Sequence, residues 1–192
     1  ANVERRKKVE ANPNEALEQA KALPVDSGRN SPRLMALTQV VFTSARVAPS
    51  TAAVAIDEMF KVIPNLSPEV QVQHLRAIAQ GSEMIEDDAR VLKAVRMGFK
   101  AADMLYLADT DASDPNTSPK ESWPSTAAWK RFLTLEAALV PLEVTNDLAT
   151  IEDAEIRAIA KVELARNYMN VRQFTSAAWR ITKKNSSGTG MF

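Results

Sequence analysis

Apolar residues recur at intervals of three and four along most of the chain, most clearly between Pro49 and Met84. There Ala52, Ile56, Met59, Phe60 and Ile63 fall on one helical face, with Asp57, Glu58 and Lys61 between them. That is the pattern of an amphipathic helix. Ser50 is placed to cap its start, because a hydroxyl accepts from the free amides of the first turn, and Pro64 ends it by supplying no amide. Ser67 reads as a second cap and Pro68 as a first helical residue, where a missing donor is harmless. So short a connection makes the two helices antiparallel neighbours.

The pattern extends in both directions. A short helix is expected over about 2–10, and a second, EALEQAKAL, is opened by Asn12-Pro13-Asn14 and stopped by Pro24. Loop residues follow through Gly28 and Asn30 to Ser31-Pro32, and from Pro32 to Val47 the face is Leu34, Leu37, Val41 and Ala45. Glu86, Asp87 and Asp88 put three carboxylates at the start of a long helix, where they suit the positive end of the dipole. Its stripe is Leu92, Val95, Phe99, Ala102 and Tyr106. Residues 109–123 read as a long loop, and the helix after Trp123-Pro124-Ser125 presents Ala128, Phe132, Leu135 and Leu139. Pro141 opens a short helix through Thr150, and the segment from Asp153 aligns Ala158, Val162, Ala165 and Met169. Val171, Phe174, Ala178 and Ile181 mark a short capping helix. Strands are not expected, since no period-two run or Asn-Gly or Asp-Gly turn occurs.

The helix starts at Pro13, Pro49, Glu86 and Pro141 lie 36, 37 and 55 residues apart, the last interval lengthened by about the span of the 109–123 loop. Each is followed by a helix, a break and a second helix. A two-helix period in the middle thirties marks helical solenoids, whose units cannot bury their apolar faces alone and therefore stack. Ala52, Ile56, Met59 and Pro64 echo the second-helix pattern Ala-x3-aromatic-x2-Ala-x4-Pro with other apolar residues. On that spacing and that echo, the chain resembles the tetratricopeptide-like and HEAT-like helical repeat families. The resemblance implies a right-handed superhelix of stacked helix pairs, a fold whose members mostly bind other proteins, and it carries over no peptide-binding residue. The expected architecture is all-α: stacked antiparallel helix pairs forming a short right-handed α-solenoid of eight or nine helices over 1–182, with loop 109–123 inserted in the third unit and a flexible tail at 183–192.

Composition narrows the function. Lys plus Arg and Asp plus Glu each count 24, so the basic excess usual in a nucleic-acid binder is missing. The run Arg5, Arg6, Lys7 and Lys8 is flanked by Glu4 and Glu10 and reads as a solvated face. There are no cysteines, which excludes disulfides and thiol catalysis. No apolar run reaches the roughly 18 residues of a membrane span, and no signal-peptide pattern is present. The chain starts at Ala1, which leaves the cytoplasm open and, if Ala1 is a processed terminus, an extracytoplasmic compartment as well.

Candidate chemistry is sparse. His74 is the only histidine, beside the buried stripe and without a Ser/His/Asp or His/Glu motif, so it reads as a core residue. Asp109, Asp111, Ser113, Asp114 and Asn116 alternate oxygen side chains in a loop, as a calcium site does. Measured against an EF-hand from Asp109, the sixth position is Asp114 instead of Gly and the twelfth is Lys120 instead of Glu. Asp109, Asp111 and Asp114 therefore stay weak metal candidates, and a solvated loop is the plainer reading. The adjacent Asp57 and Glu58 diverge by about 100 degrees on a helix, and the clusters at 86–88 and 152–155 sit at predicted helix starts. No phosphate loop, G-x-S-x-G or H-E-x-x-H occurs. Trp123, Trp129 and Trp179 are candidate partner-binding residues, because tryptophan buries a large area at small entropy cost, although Trp129 also suits a core. The expectation is a protein without catalysis, cofactor or nucleic-acid partner that binds other proteins as a scaffold, an adaptor or an accessory subunit. The alternatives are a cation-binding or enzymatic helical protein using the acidic loop 109–116, and membrane-surface attachment through Arg5–Lys8 and Arg180–Lys184.

Overall fold

The computed structural model describes residues 12–26, 31–112, 119–140 and 144–169. Among them are eight α-helices and no strand: α1 (Pro13–Lys21), α2 (Pro32–Ser44), α3 (Pro49–Val62), α4 (Pro68–Met84), α5 (Asp88–Ala112), α6 (Pro124–Leu139), α7 (Val144–Thr150) and α8 (Ala154–Met169). The chain is all-α, and no described helix is long and apolar enough to cross a membrane. The expected helix at 2–10, the run Arg5–Lys8, Pro141, the segment from Val171 to Ile181, Trp179, Arg180–Lys184 and the tail 183–192 lie outside the described residues.

Proline sets most of the starts. Pro13, Pro32, Pro49, Pro68 and Pro124 each stand at the first position of a helix, where the absent N–H has no helical partner to lose. The expected serine caps are differently placed. Ser50 lies inside α3, whose N-cap is Ala48. Ser31 and Ser67 do stand at N-caps, yet neither hydroxyl bonds an amide of its helix; Ser31 accepts instead from the Asp26 N–H at 3.2 Å. Asn12 is the side chain that caps, accepting from the Glu15 N–H at 3.2 Å and donating to the Glu15 carboxylate.

The three carboxylates expected together at the start of α5 divide between two helices. Glu86 belongs to the end of α4: its φ is 58 degrees, and the following N–H, of Asp87, donates back to the Ser82 carbonyl at 2.9 Å. This is the left-handed closure of a Schellman turn. Asp87 is the cap of α5, accepting from the Arg90 N–H at 3.0 Å, and Asp88 alone occupies the first turn.

The chain divides into two compact lobes, Ala1–Ala101 and Ala102–Phe192. In the first, α2 packs on α3, α1 packs on both, and α4 packs on α3 and α2. Leu34, Leu37, Val41, Ile56, Met59, Ile63, Leu75 and Ile78 are buried there. Thr51 donates to the Asn14 side chain at 2.7 Å, tying the starts of α3 and α1, and Gln71 closes the α3–α4 turn by donating to the Leu66 carbonyl at 2.8 Å.

In the second lobe α6 packs on α7 and α8, α7 packs on α8, and a 3-10 turn at Lys120–Ser122 rests on α6 and α8. The loop expected at 109–123 is therefore shorter than its composition suggests. α5 continues to Ala112, and the chain is ordered into a turn again by Lys120, with 113–118 outside the described residues. The stripe expected for α8 is also reversed. Ile156, Ala160 and Leu164 are the buried residues, and Ala158, Val162 and Ala165 are exposed.

Candidate interaction surfaces

The charged clusters resolve into structural pairs. Asp57 and Glu58 serve different partners, as their divergence on the helix requires. Asp57 receives the Arg90 guanidinium through two bonds, from Nε at 3.0 Å and Nη2 at 2.7 Å, while Arg90 Nη1 also bonds the Asp87 carboxylate. Such a paired fork is among the stronger charge-assisted contacts. The Arg90 bond holds the Asp57 carboxyl below its usual range and pushes the guanidinium up. Glu58 instead takes Lys61 at 2.6 Å and Arg33 at 3.3 Å, and the Lys61 bond lowers its pKa.

His74 is only 4% exposed, its Nε2 has no hydrogen-bond partner, and burial pushes its pKa down. Buried at this position on α4, the ring has the place of a packing residue.

Asp153 is the hub of the second lobe. It caps α8, accepting from the Glu155 and Ile156 amides at 2.9 and 3.1 Å. It also takes the Lys120 ammonium at 2.6 Å and the Tyr106 hydroxyl at 3.1 Å. Burial raises its pKa, but Lys120, the Ile156 amide and Tyr106 together hold it below the usual carboxylate range. Tyr106 in turn lies between two indoles, with ring centroids 6.0 Å from Trp123 and 5.7 Å from Trp129. Lys120 approaches the face of Trp123 as well. Trp123 and Trp129 are 5% and 3% exposed. The structure thus places two of the three candidate partner-binding tryptophans in the core, and Trp179 lies outside the described residues.

The acidic loop is engaged in the same lobe. The Asp109 carboxylate accepts from the Ser125 N–H at 2.9 Å, at the amino end of α6, where the dipole favours an anion. Asp111 is exposed, and Asp114 lies outside the described residues. Among the described residues no three His, Cys, Asp or Glu side chains gather as a metal site requires.

Surface grooves also lie among the described residues, and the two that follow are not marked by a sequence motif. One, of about 400 Å³, runs along α5 and is lined by Ala89, Leu92, Lys93, Arg96, Met97 and Lys100. Its three cations are exposed and its aliphatic residues partly so, and Lys93 also sits 4.2 Å over the Phe60 ring. The other, of about 430 Å³, lies along the outer side of α8, with Ala158, Ile159 and Val162 at its floor and Pro119 at its wall. Glu121, Glu155, Glu163, Lys130 and Arg166 form its rim. Helical spacing alone could indicate neither groove, because each needs the burial of the opposite helix side to be settled first.

Compared with known protein families, with curated proteins and with solved structures, the chain matches none.

Proposed function

We propose that this chain is a non-catalytic protein–protein interaction module, a scaffold, adaptor or accessory subunit, built as a short right-handed α-solenoid of stacked antiparallel helix pairs. Support for the stacked arrangement comes from the first lobe, where α1 to α4 pack on neighbours one or two places away in the chain, as stacking units do. Engagement of the candidate groups supports the absence of catalysis: the lone histidine is buried, and Asp57, Glu58, Asp109 and Asp153 are each held by structural partners.

The observation that carries the binding reading is the α5 groove. Leu92 and Met97 offer an apolar floor, and Lys93, Arg96 and Lys100 stand over it at one-turn spacing. Apolar anchoring with a charged rim is the anatomy of a recognition surface, and complementarity calls for an acidic partner segment carrying an aliphatic or aromatic anchor.

Capture from the native source tests the reading, with the intact chain beside Arg96→Glu/Lys100→Glu and Leu92→Asp variants of unchanged far-UV circular dichroism. A protein retained by the intact chain and lost by both variants is the expected result. Retention by all three removes the α5 face from the reading, and capture by none removes the reading itself.

A further inference from the structure

α8 carries apolar residues on two opposite sides. Ile156, Ala160 and Leu164 are buried, on a helix that packs against α6 and α7. Ala158 and Val162 are exposed, Ile159 is partly so, and all three floor the groove described above. A displacement of two residues is about 200 degrees around a helix, so Ala158 and Val162 point away from Ile156 and Ala160. Apolar residues on a second side call for a second packing partner.

We propose that this partner is a second copy of the chain, seated α8 against α8 in antiparallel about a twofold axis. The charges that flank the apolar floor are what select it. Glu155 stands at one end of the face and Arg166 at the other, and their midpoint falls between residues 160 and 161. Ile159 and Val162 have the same midpoint. A half-turn about that point therefore lays Ile159 against Val162 of the second copy, and Glu155 against its Arg166, each pair occurring twice. A face that complements itself in this way is what a twofold interface requires. Parallel pairing would instead set Glu155 on Glu155 and Arg166 on Arg166 and align the two helix dipoles, so charge chooses the antiparallel direction. Within their own chain the two side chains are held loosely. Glu155 lies 3.4 Å from Lys120 and Arg166 lies 3.8 Å from Glu163, at 59% and 62% exposure, and exposed pairs of that kind contribute little. The α5 groove offers no such symmetry, because Lys93, Arg96 and Lys100 carry one sign. Two helices meeting over about three turns bury less than the roughly 1,200 Å² of a stable complex, so the dimer is a weak one that fills as concentration rises. This inference concerns α8 and stands apart from the binding reading of α5.

Sedimentation velocity on the purified full chain tests it, from about 10 μM to about 1 mM. The intact chain is expected to pass from monomer towards dimer across that range. Glu155→Arg and Arg166→Glu each oppose like charges across the axis, and each should raise the dissociation constant at least about tenfold with unchanged far-UV circular dichroism. Val162→Asp should do the same at the apolar centre. The exchange Glu155→Arg/Arg166→Glu should restore the dimer, a rescue that no general loss of folding can imitate. A chain that stays monomeric throughout overturns the proposal, and so does a dimer indifferent to these substitutions. Loss on only one of the two charge reversals, or an exchange that fails to rescue, assigns α8 to some other surface of the second copy and overturns the twofold pairing.

Discussion

At the residue scale, three positions set the stability of the first lobe in ways that composition hides. Gly81 lies in α4 where a Cβ would run into Val41 Cγ1. Val41 is buried, and a β-branched side chain on a helix has little freedom to turn aside. Gly81→Ala gains up to about 1 kcal/mol of helix propensity and loses about 1–3 kcal/mol to overpacking, so the lobe should lose stability in urea denaturation. Adding Val41→Ala should return part of that loss, which a double-mutant cycle reads directly. Glu86 is the opposite case. A non-glycine residue at φ 58 degrees carries a left-handed penalty of about 1–2 kcal/mol, and Glu86→Gly should raise stability by about 1 kcal/mol. His74 supplies a pH dependence. Its pKa is depressed by burial below the ordinary 6.5, so the unfolded chain binds the proton more readily. Stability is then complete above about 6.5 and declines as pH falls from there. Asp57, Glu58 and Asp153 are depressed from 3.8, 4.5 and 3.8 and withdraw their contributions only in more acid solution, which leaves the interval from about 5 to 7 to the histidine. His74→Leu should flatten the urea midpoint across that interval. The burial of His74 was legible from its neighbours Val70 and Ile78. The left-handed Glu86 was not, since three consecutive acids read equally well as the start of one helix and as the end of another.

At the element scale, periodicity located the helices of the described residues and misassigned one of their faces. α2 and α3 match their stripes, Leu34, Leu37, Val41 and Ala45 on the one and Ala52, Ile56, Met59, Phe60 and Ile63 on the other, because each buries a single apolar side. α8 has two, and spacing alone gives no reason to choose Ile156, Ala160 and Leu164 over Ala158, Val162 and Ala165. Proline was a better guide to helix starts than serine, because a missing N–H excludes the helix interior whereas a hydroxyl only permits a cap. The hub at Asp153 shows what local reading cannot reach: Tyr106 and Lys120 lie 47 and 33 residues away. Asp153→Ala removes the cap of α8 and strands both partners, and a loss of about 2–3 kcal/mol is expected. Tyr106→Phe, which deletes one bond and keeps the ring between the indoles, should lose about 1 kcal/mol. Both are measurable by thermal melting followed at the second lobe.

At the scale of the whole molecule, the two lobes give the chain two separate packing problems. Gly81 and Asp153 share no partner and belong to different lobes, so the effects of Gly81→Ala and Asp153→Ala should add to within about 0.5 kcal/mol. The all-helical class was legible throughout, since no segment offered a strand pattern to compete with it. The binding surfaces were not, because an exposed apolar stripe and a buried one look alike until the partner helix is in place. The aromatic cluster has one more consequence, for light. All three tryptophans and both tyrosines of the chain lie after residue 101, so the first lobe contributes almost nothing to near-ultraviolet absorption or emission. With Tyr106 about 6 Å from two indoles, its excitation passes to them, and the chain should glow as a tryptophan protein. Fluorescence will therefore report the second lobe and remain blind to the first, and a melting curve drawn from emission need not coincide with one drawn from circular dichroism.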